Sequence, residues 1–270
     1  MDSSLIGLAL GGLVGIIIGI TGAGGGVLAV PLLVFGLHLS ILQAAPVGLI
    51  AVGLASALGA ALGLREGQVR YRAAAAMGTM GMLCAPFGVA LASRVPNAPL
   101  MAVFAFVLGG VAWRMYRQSL SSASERAMVQ LPCVLSPQDG RLVWTLPCTR
   151  ALLATGMVSG TLSGLLGVGG GFVIVPALSR YTNLPARMVV ATSMAVIALV
   201  SVGGVTAAAL RGHVDLHTAA PFALGAVVAL LLGRRLGARL SGARLQQSFA
   251  GLCMVVAVLM LARAAGWLTM

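Results

Sequence analysis

Acidic residues are almost missing from this sequence, and lysine is missing altogether. Five Asp and Glu face seventeen Arg, and charged residues make up 8% of the chain, where a soluble domain carries about 25%. With 59% of the residues hydrophobic, no water-soluble fold could cover so much apolar surface. The five acids, Asp2, Glu66, Glu125, Asp139 and Asp215, all fall in tails, loops or the central polar stretch. That leaves no carboxylate in the apolar runs for a proton relay or a cation site. Four cysteines without CxxC spacing argue against a metal or disulfide role. Nothing before Leu5 resembles a signal peptide, because the sole early charge is Asp2, so the first apolar run is expected to stay in the protein.

What is present is long apolar runs. Ala44 to Leu64, Ala73 to Ala92, Ala98 to Trp113, Met188 to Leu210, His217 to Leu236 and Leu245 to Leu261 approach or exceed the roughly 18 to 20 residues that span a bilayer. A net charge of +12 would suggest nucleic acid in a soluble protein, but the arginines lie between apolar runs, as they do in membrane loops. The partner is therefore the lipid bilayer, and no nucleic acid is expected. His38, His213 and His217 fall at segment ends, where an interfacial role is expected, and the scattered methionines read as packing.

The chain matches itself at an offset of 145 residues. Gly15 pairs with Gly160, Gly19 with Gly164, Gly22 with Gly167, and Gly24-Gly25-Gly26 with Gly169-Gly170-Gly171. Val30-Pro31 matches Val175-Pro176, Ser56 matches Ser201, Gly88 matches Gly233, and Arg94 matches Arg239. Identities that hold register from one apolar segment to the next indicate duplication, a common plan for transporters. The division is residues 1–117, a linker at 118–149 rich in Ser and Pro, and residues 150–270. Within the linker, Leu131 to Leu135 and Arg141 to Leu146 are expected to pair as a short hairpin.

The first segment of each copy is the wrong length. Leu5 to Leu39 is nearly uncharged and as one helix would reach about 52 Å, whereas the hydrocarbon core is about 30 Å thick. Two half-length helices fit, separated by Thr21 to Gly26, with Pro31 early in the second, where a missing N–H costs nothing. The second copy repeats this around Gly167 to Gly171 and Pro176. If these segments cross the membrane, the arginines divide ten against seven. If they turn back, Arg94, Arg211 and Arg263 lie on one side and the other fourteen of the seventeen on the opposite side, a strong positive-inside bias. The expected fold is therefore an all-α polytopic membrane protein of two inverted repeats. Each repeat is a broken re-entrant helical hairpin plus three transmembrane helices. Both termini lie outside and the linker lies in the cytoplasm, as in a multi-pass protein of the inner membrane.

Backbone that leaves a helix inside a bilayer must find partners in protein or water. Glycines there let a ligand reach the amides, and the following half-helix presents its positive end. Two such ends near the midplane would hold a small oxyanion without a buried Arg or Lys. The candidate substrate-binding residues are Thr21, Gly22, Gly24, Gly25 and Gly26 from the first break, with Ser163, Gly167, Gly169, Gly170 and Gly171 from the second. Thr192 and Ser193 are added as nearby hydroxyls, although the first copy has Val47-Gly48 at the matching place. Gln43, Ser159 and Thr161 are supporting polar groups. The plainer alternatives are that the glycines only allow close helix packing and that the hydroxyls bond back to their own helices.

At the doubled G-x-G-G-G-x-x-x-V-P motifs, Gly22 to Pro31 and Gly167 to Pro176, with Ala191-Thr192-Ser193 after the second, the chain resembles the TauE/SafE family of sulfite and organosulfur-anion exporters. The resemblance implies a transporter, with sulfite or a small organosulfonate as its substrate; the residues themselves argue for a small anion. No cofactor, metal or catalytic residue is expected, since no nucleophile, acid and base converge in the apolar runs. A transporter or channel for another small anion, and a membrane assembly factor, remain the competing readings.

Overall fold

A computed structural model describes residues 3–120, 133, 144–212, 214–237 and 242–265. Among them the chain is helical. Before the central stretch come α1 (Ser3–Thr21), a 3₁₀ segment (Gly22–Leu28), α2 (Ala29–Gly36), α3 (Ile41–Arg65), α4 (Tyr71–Ala92) and α5 (Asn97–Leu120). After it come α6 (Leu146–Leu166), α7 (Gly171–Tyr181), α8 (Ala186–Ala209), α9 (Leu216–Gly237) and α10 (Gly242–Ala264). Five of these, α1, α3, α4, α8 and α9, are long and apolar enough to cross a membrane. Large apolar side chains such as Leu83, Phe87, Phe106, Leu224 and Val228 are exposed around the outside, as lipid contact requires.

Helix starts follow local chemistry. Ser40 and Gln43 form a capping box on α3, and Thr145 caps α6 with Pro147 in its first turn. Asp215 precedes α9, where the Thr218 hydroxyl and the His217 amide donate to its carboxylate at 2.7 and 3.0 Å. Those hydrogen bonds, the Thr218 hydroxyl first, hold the Asp215 carboxyl below its ordinary range.

Glycines set the helix pairing. A methyl group at Gly11, Gly15 or Gly19 would strike the backbone of α9 at Phe222, Ala226 and Leu230 in turn, so α1 and α9 run parallel with their backbones in contact. A second pair does the same: Gly156, Gly160 and Gly164 of α6 lie against Met77, Gly81 and Ala85 of α4. Gly53, Gly59 and Gly63 of α3 meet Ser201, Met194 and Ala191 of α8, so these two run antiparallel. Gly78 against Leu199 and Gly81 against Val200 make α4 parallel to α8. Together these directions gather Arg65, Arg70, Arg72, Arg150, Arg187, Arg234 and Arg235 at one end of the molecule. Arg94, Arg211 and Arg263 lie at the other.

Gly25 sits against Ile17 and Ile18, and Gly36 against Leu10, so the 3₁₀ segment and α2 return along α1. The expectation of two half-length helices is corrected for the first arm. At 19 and 21 residues, α1 and α6 are full-length helices, about 28 to 32 Å long. The returning arms α2 and α7 are short, at 8 and 11 residues. Glycines at four-residue spacing in α1 and α6 do not end those helices, because each packs against a partner helix.

The cysteine expectation is also corrected. Cys133 and Cys148 form a disulfide with their Cα atoms 5.0 Å apart, and the Cys133 amide donates to Tyr181 O at 3.1 Å. The bridge ties the central stretch to the start of α6 and the end of α7. Spacing alone missed it because α7, far along the chain, brings the two segments together. The hairpin expected around 131–146 falls almost wholly outside the described residues, and Leu146 opens α6.

Candidate functional site

The two glycine breaks meet beside the crossing of α3 and α8. α6 ends on Gly167, whose φ of 73° is left-handed, and Gly169 and Gly170 follow at 75° and 71°. An L residue at each would cost about 1–2 kcal/mol, which explains why this turn is built from glycine. The first break is wound differently: Gly22 alone has positive φ, at 76°, and a 3₁₀ segment follows. Gly26 lies against Val52 of α3 and the Val168 carbonyl of the other break. Gly169 lies against the same Val52, and against Ile197 and Ser201 of α8. Gly48 packs on the Gly167 carbonyl, so α3 is wedged between the two turns.

The candidate glycines therefore divide by what they face. Gly26 and Gly169 face each other's surroundings across Val52. Gly22 faces Val190 near the start of α8, and Gly167 faces Ala45 of α3. Gly25 and Gly170 press on their own hairpin arms, Gly25 on the Ile17–Ile18 backbone and Gly170 on Ser159, whose hydroxyl donates to Gly170 O at 3.2 Å. Gly24 lies within the 3₁₀ segment, and Gly171 is buried at the first position of α7.

The hydroxyls divide as well. Thr21 and Ser193 donate to Ile17 O and Val189 O, both at 2.7 Å, four residues back on their own helices. Thr192 is buried and accepts the Arg70 amide at 3.1 Å, fastening the α3–α4 joint to α8. Thr161 donates back to Met157 O, and Gln43 is used in the cap of α3. Ser163 is different: it is 1% exposed and its Oγ has no hydrogen-bond partner.

Two more unpartnered hydroxyls were not singled out from sequence. Ser56 and Ser201, 0% and 3% exposed, both have an Oγ without a partner. Ser201 packs against Gly53 and Gly169, and Ser56 lies one turn beyond Val52 on α3. They are counterparts at the 145-residue offset, so the repeat match itself carried the signal. A buried polar atom without a partner costs about 1–3 kcal/mol and calls for a water, an ion or a ligand.

A cavity of about 430 Å³ opens at the arginine-rich end, among Gly19, Gly59, Glu66, Arg187, Met194 and Arg234. On its inner side, Gly59 packs on the Met194 sulfur, and Ser56 lies one turn further along α3. Arg234 pairs with Glu66 at 2.9 Å and donates to Gly59 O at 3.3 Å. Nearby, Arg70 donates to the Met188 sulfur at 3.3 Å, while its buried Nε has no partner. Charge thus gathers at one mouth and unpartnered hydroxyls gather inside.

Comparison with known proteins bears on this arrangement. The family description "Sulfite exporter TauE/SafE" matches residues 7–260. The chain belongs to this family. Within TauE/SafE-like sequences, a "Probable membrane transporter protein" of Xylella fastidiosa strain 9a5c is 27% identical over 250 residues, covering 90% of this chain and 88% of that one. A protein of the same description from Methanocaldococcus jannaschii is 24% identical over 246 residues, 87% of this chain and 85% of its own. "Probable membrane transporter protein YdhB" of Bacillus subtilis is 30% identical over 203 residues, 75% and 78% of the two chains. No solved structure matches. Family membership and the five long apolar helices make this TauE/SafE chain a multi-pass membrane transporter.

Proposed function

We propose that the protein moves small sulfur-containing anions, such as sulfite or a small organosulfonate, outward across the inner membrane. The observation that carries this reading is the pair of repeat-related, buried and unpartnered hydroxyls, Ser56 and Ser201, beside the meeting point of the two glycine breaks. The positive end of α7 and these hydroxyls, each with a proton to donate, suit an oxyanion. Sulfur as the cargo's element comes from the family description.

Purified protein is expected to be stabilised against heat by sulfite or sulfoacetate and left unchanged by sodium or choline. Stabilisation would approach 2.7 kcal/mol at about a hundred times the Kd. Stabilisation by cations alone would remove the anion reading, and no response to any ion would favour an assembly role.

The antiparallel run of α3 and α8, and the parallel pairs α1–α9 and α4–α6, support an inverted repeat with re-entrant first segments. The full second-copy boundaries, 150–270 against 1–117 with 118–149 between them, belong to that reading. With the arginine-rich end inside, alkaline phosphatase fused after Met270 is expected to be active and a fusion at Gln138 inactive. Reversed activities would overturn the orientation, and activity at both would rule out the re-entrant plan.

A further inference from the structure

We propose that the cavity under Arg234 is a loading site for the transported anion, in which an incoming oxyanion takes the place of Glu66 on the Arg234 guanidinium. The inference rests on the anion-transport reading and adds to it a site and the residue that loads it.

The guanidinium is the fixed partner of the pair. It is held twice, by Gly59 O at 3.3 Å and by Glu66 at 2.9 Å, and its side chain is 27% exposed against 45% for Glu66. Glu66 directly follows α3 on a short turn through Gly67, whose φ is 69°, so the carboxylate can swing aside while the arginine stays on the cavity wall. A pair this exposed contributes little to stability. Glu66 meets the guanidinium through one oxygen on Nη2, and an oxyanion offers the same charged acceptor to that nitrogen. Arg187 adds a second positive charge, and α8 opens into the cavity after Pro185, which supplies no side-chain cap for the first amides.

The other end of the molecule lacks these groups. At the 145-residue offset, Val89 stands where Arg234 stands, Arg211 where Glu66 stands, and Ala208 where Gly63 stands. Val89, Ala207 and Ala208 are buried together in a small apolar cluster with Val214 against it. The two ends therefore differ: the Arg234–Glu66 pair lines a cavity at one, and a small apolar cluster occupies the matching positions at the other. Such asymmetry gives the transporter a preferred side for taking up anions, the arginine-rich side.

The test uses the full chain in membrane vesicles of both orientations, with radiolabelled sulfite as probe. Arg234→Gln is expected to raise KM from the arginine-rich side roughly tenfold, the loss of one charged hydrogen-bond partner, and to leave KM from the opposite side unchanged. Glu66→Gln is expected to lower KM on the arginine-rich side by releasing the guanidinium. The exchanged pair, Glu66→Arg with Arg234→Glu, keeps the clasp but moves the cation away from Gly59, so KM is expected to stay raised. Equal KM values for Arg234→Gln and wild type, equal losses from both sides, or full recovery in the exchanged pair would overturn the loading site while leaving sulfite transport standing. Where wild-type vesicles carry no sulfite, the transport reading fails, and calorimetric titration of sulfite into purified protein decides the loading site. Weaker binding by Arg234→Gln sustains it, while equal binding, or none by wild type, overturns it.

Discussion

Replacing Gly169 with valine is expected to abolish anion flux in protein that still folds and inserts. Gly169 holds a φ of 75°, which costs an L residue about 1–2 kcal/mol and a β-branched one more. An added Cβ would lie 2.8 Å from Ile197 Cγ2 and 3.0 Å from Val52 Cγ1. These neighbours are side-chain methyls, which can shift, so the expected damage is a filled site more than a broken helix pair. The same Cβ would lie 3.8 Å from the Ser201 hydroxyl oxygen. Gly170 and Gly25 are poorer tests of function. A Cβ there would meet Ser159 or the Ile17–Ile18 backbone, so valine would report on hairpin packing. Size-exclusion chromatography and flux in proteoliposomes check the prediction together. A monodisperse Gly169→Val protein with wild-type flux would detach the glycine break from transport.

The double variant Ser56→Ala, Ser201→Ala is expected to bind sulfite far more weakly while becoming no less stable. Each hydroxyl that donates to an anion contributes about 1.5–3 kcal/mol, roughly a tenfold or larger loss of affinity apiece. Within the protein these hydroxyls have no partner, so removing them relieves desolvation and leaves the melting temperature level or higher. Ser193→Ala serves as the control. Its hydroxyl is occupied by Val189 O at 2.7 Å, so binding is expected to stay as in wild type. Binding by calorimetry and melting by fluorescence separate the two effects. Unchanged affinity in the double variant would remove Ser56 and Ser201 from the site.

Much of this arrangement was legible in the residues. The two glycine runs located both breaks because a run of three glycines has few uses inside an apolar segment other than left-handed turns and close approach. The length of α1 was not legible. Glycines at positions 7, 11, 15 and 19 read equally as a weak helix or as a packing seam, and the deciding partner, α9, lies some 200 residues away. Ser56 and Ser201 were visible as a repeat match, but a serine's use of its own i−4 carbonyl is a rotamer choice that sequence does not record. Ser193 takes that bond and Ser201 does not. The Arg234–Glu66 pair and the Cys133–Cys148 bridge both depend on which helix ends the topology brings together.

The most direct measurement of the central claim is sulfite flux in proteoliposomes under an imposed potassium-diffusion potential, with no sodium present. A site made of amides, hydroxyls and helix ends carries the anion's charge uncompensated, and the potential acts on it by about 2.3 kcal/mol per charge per 100 mV. Sulfite is expected to move toward the positive side, to reverse when the potential is reversed, and to stop in Gly169→Val. Flux that requires sodium, or a cation current without sulfite movement, would contradict the account.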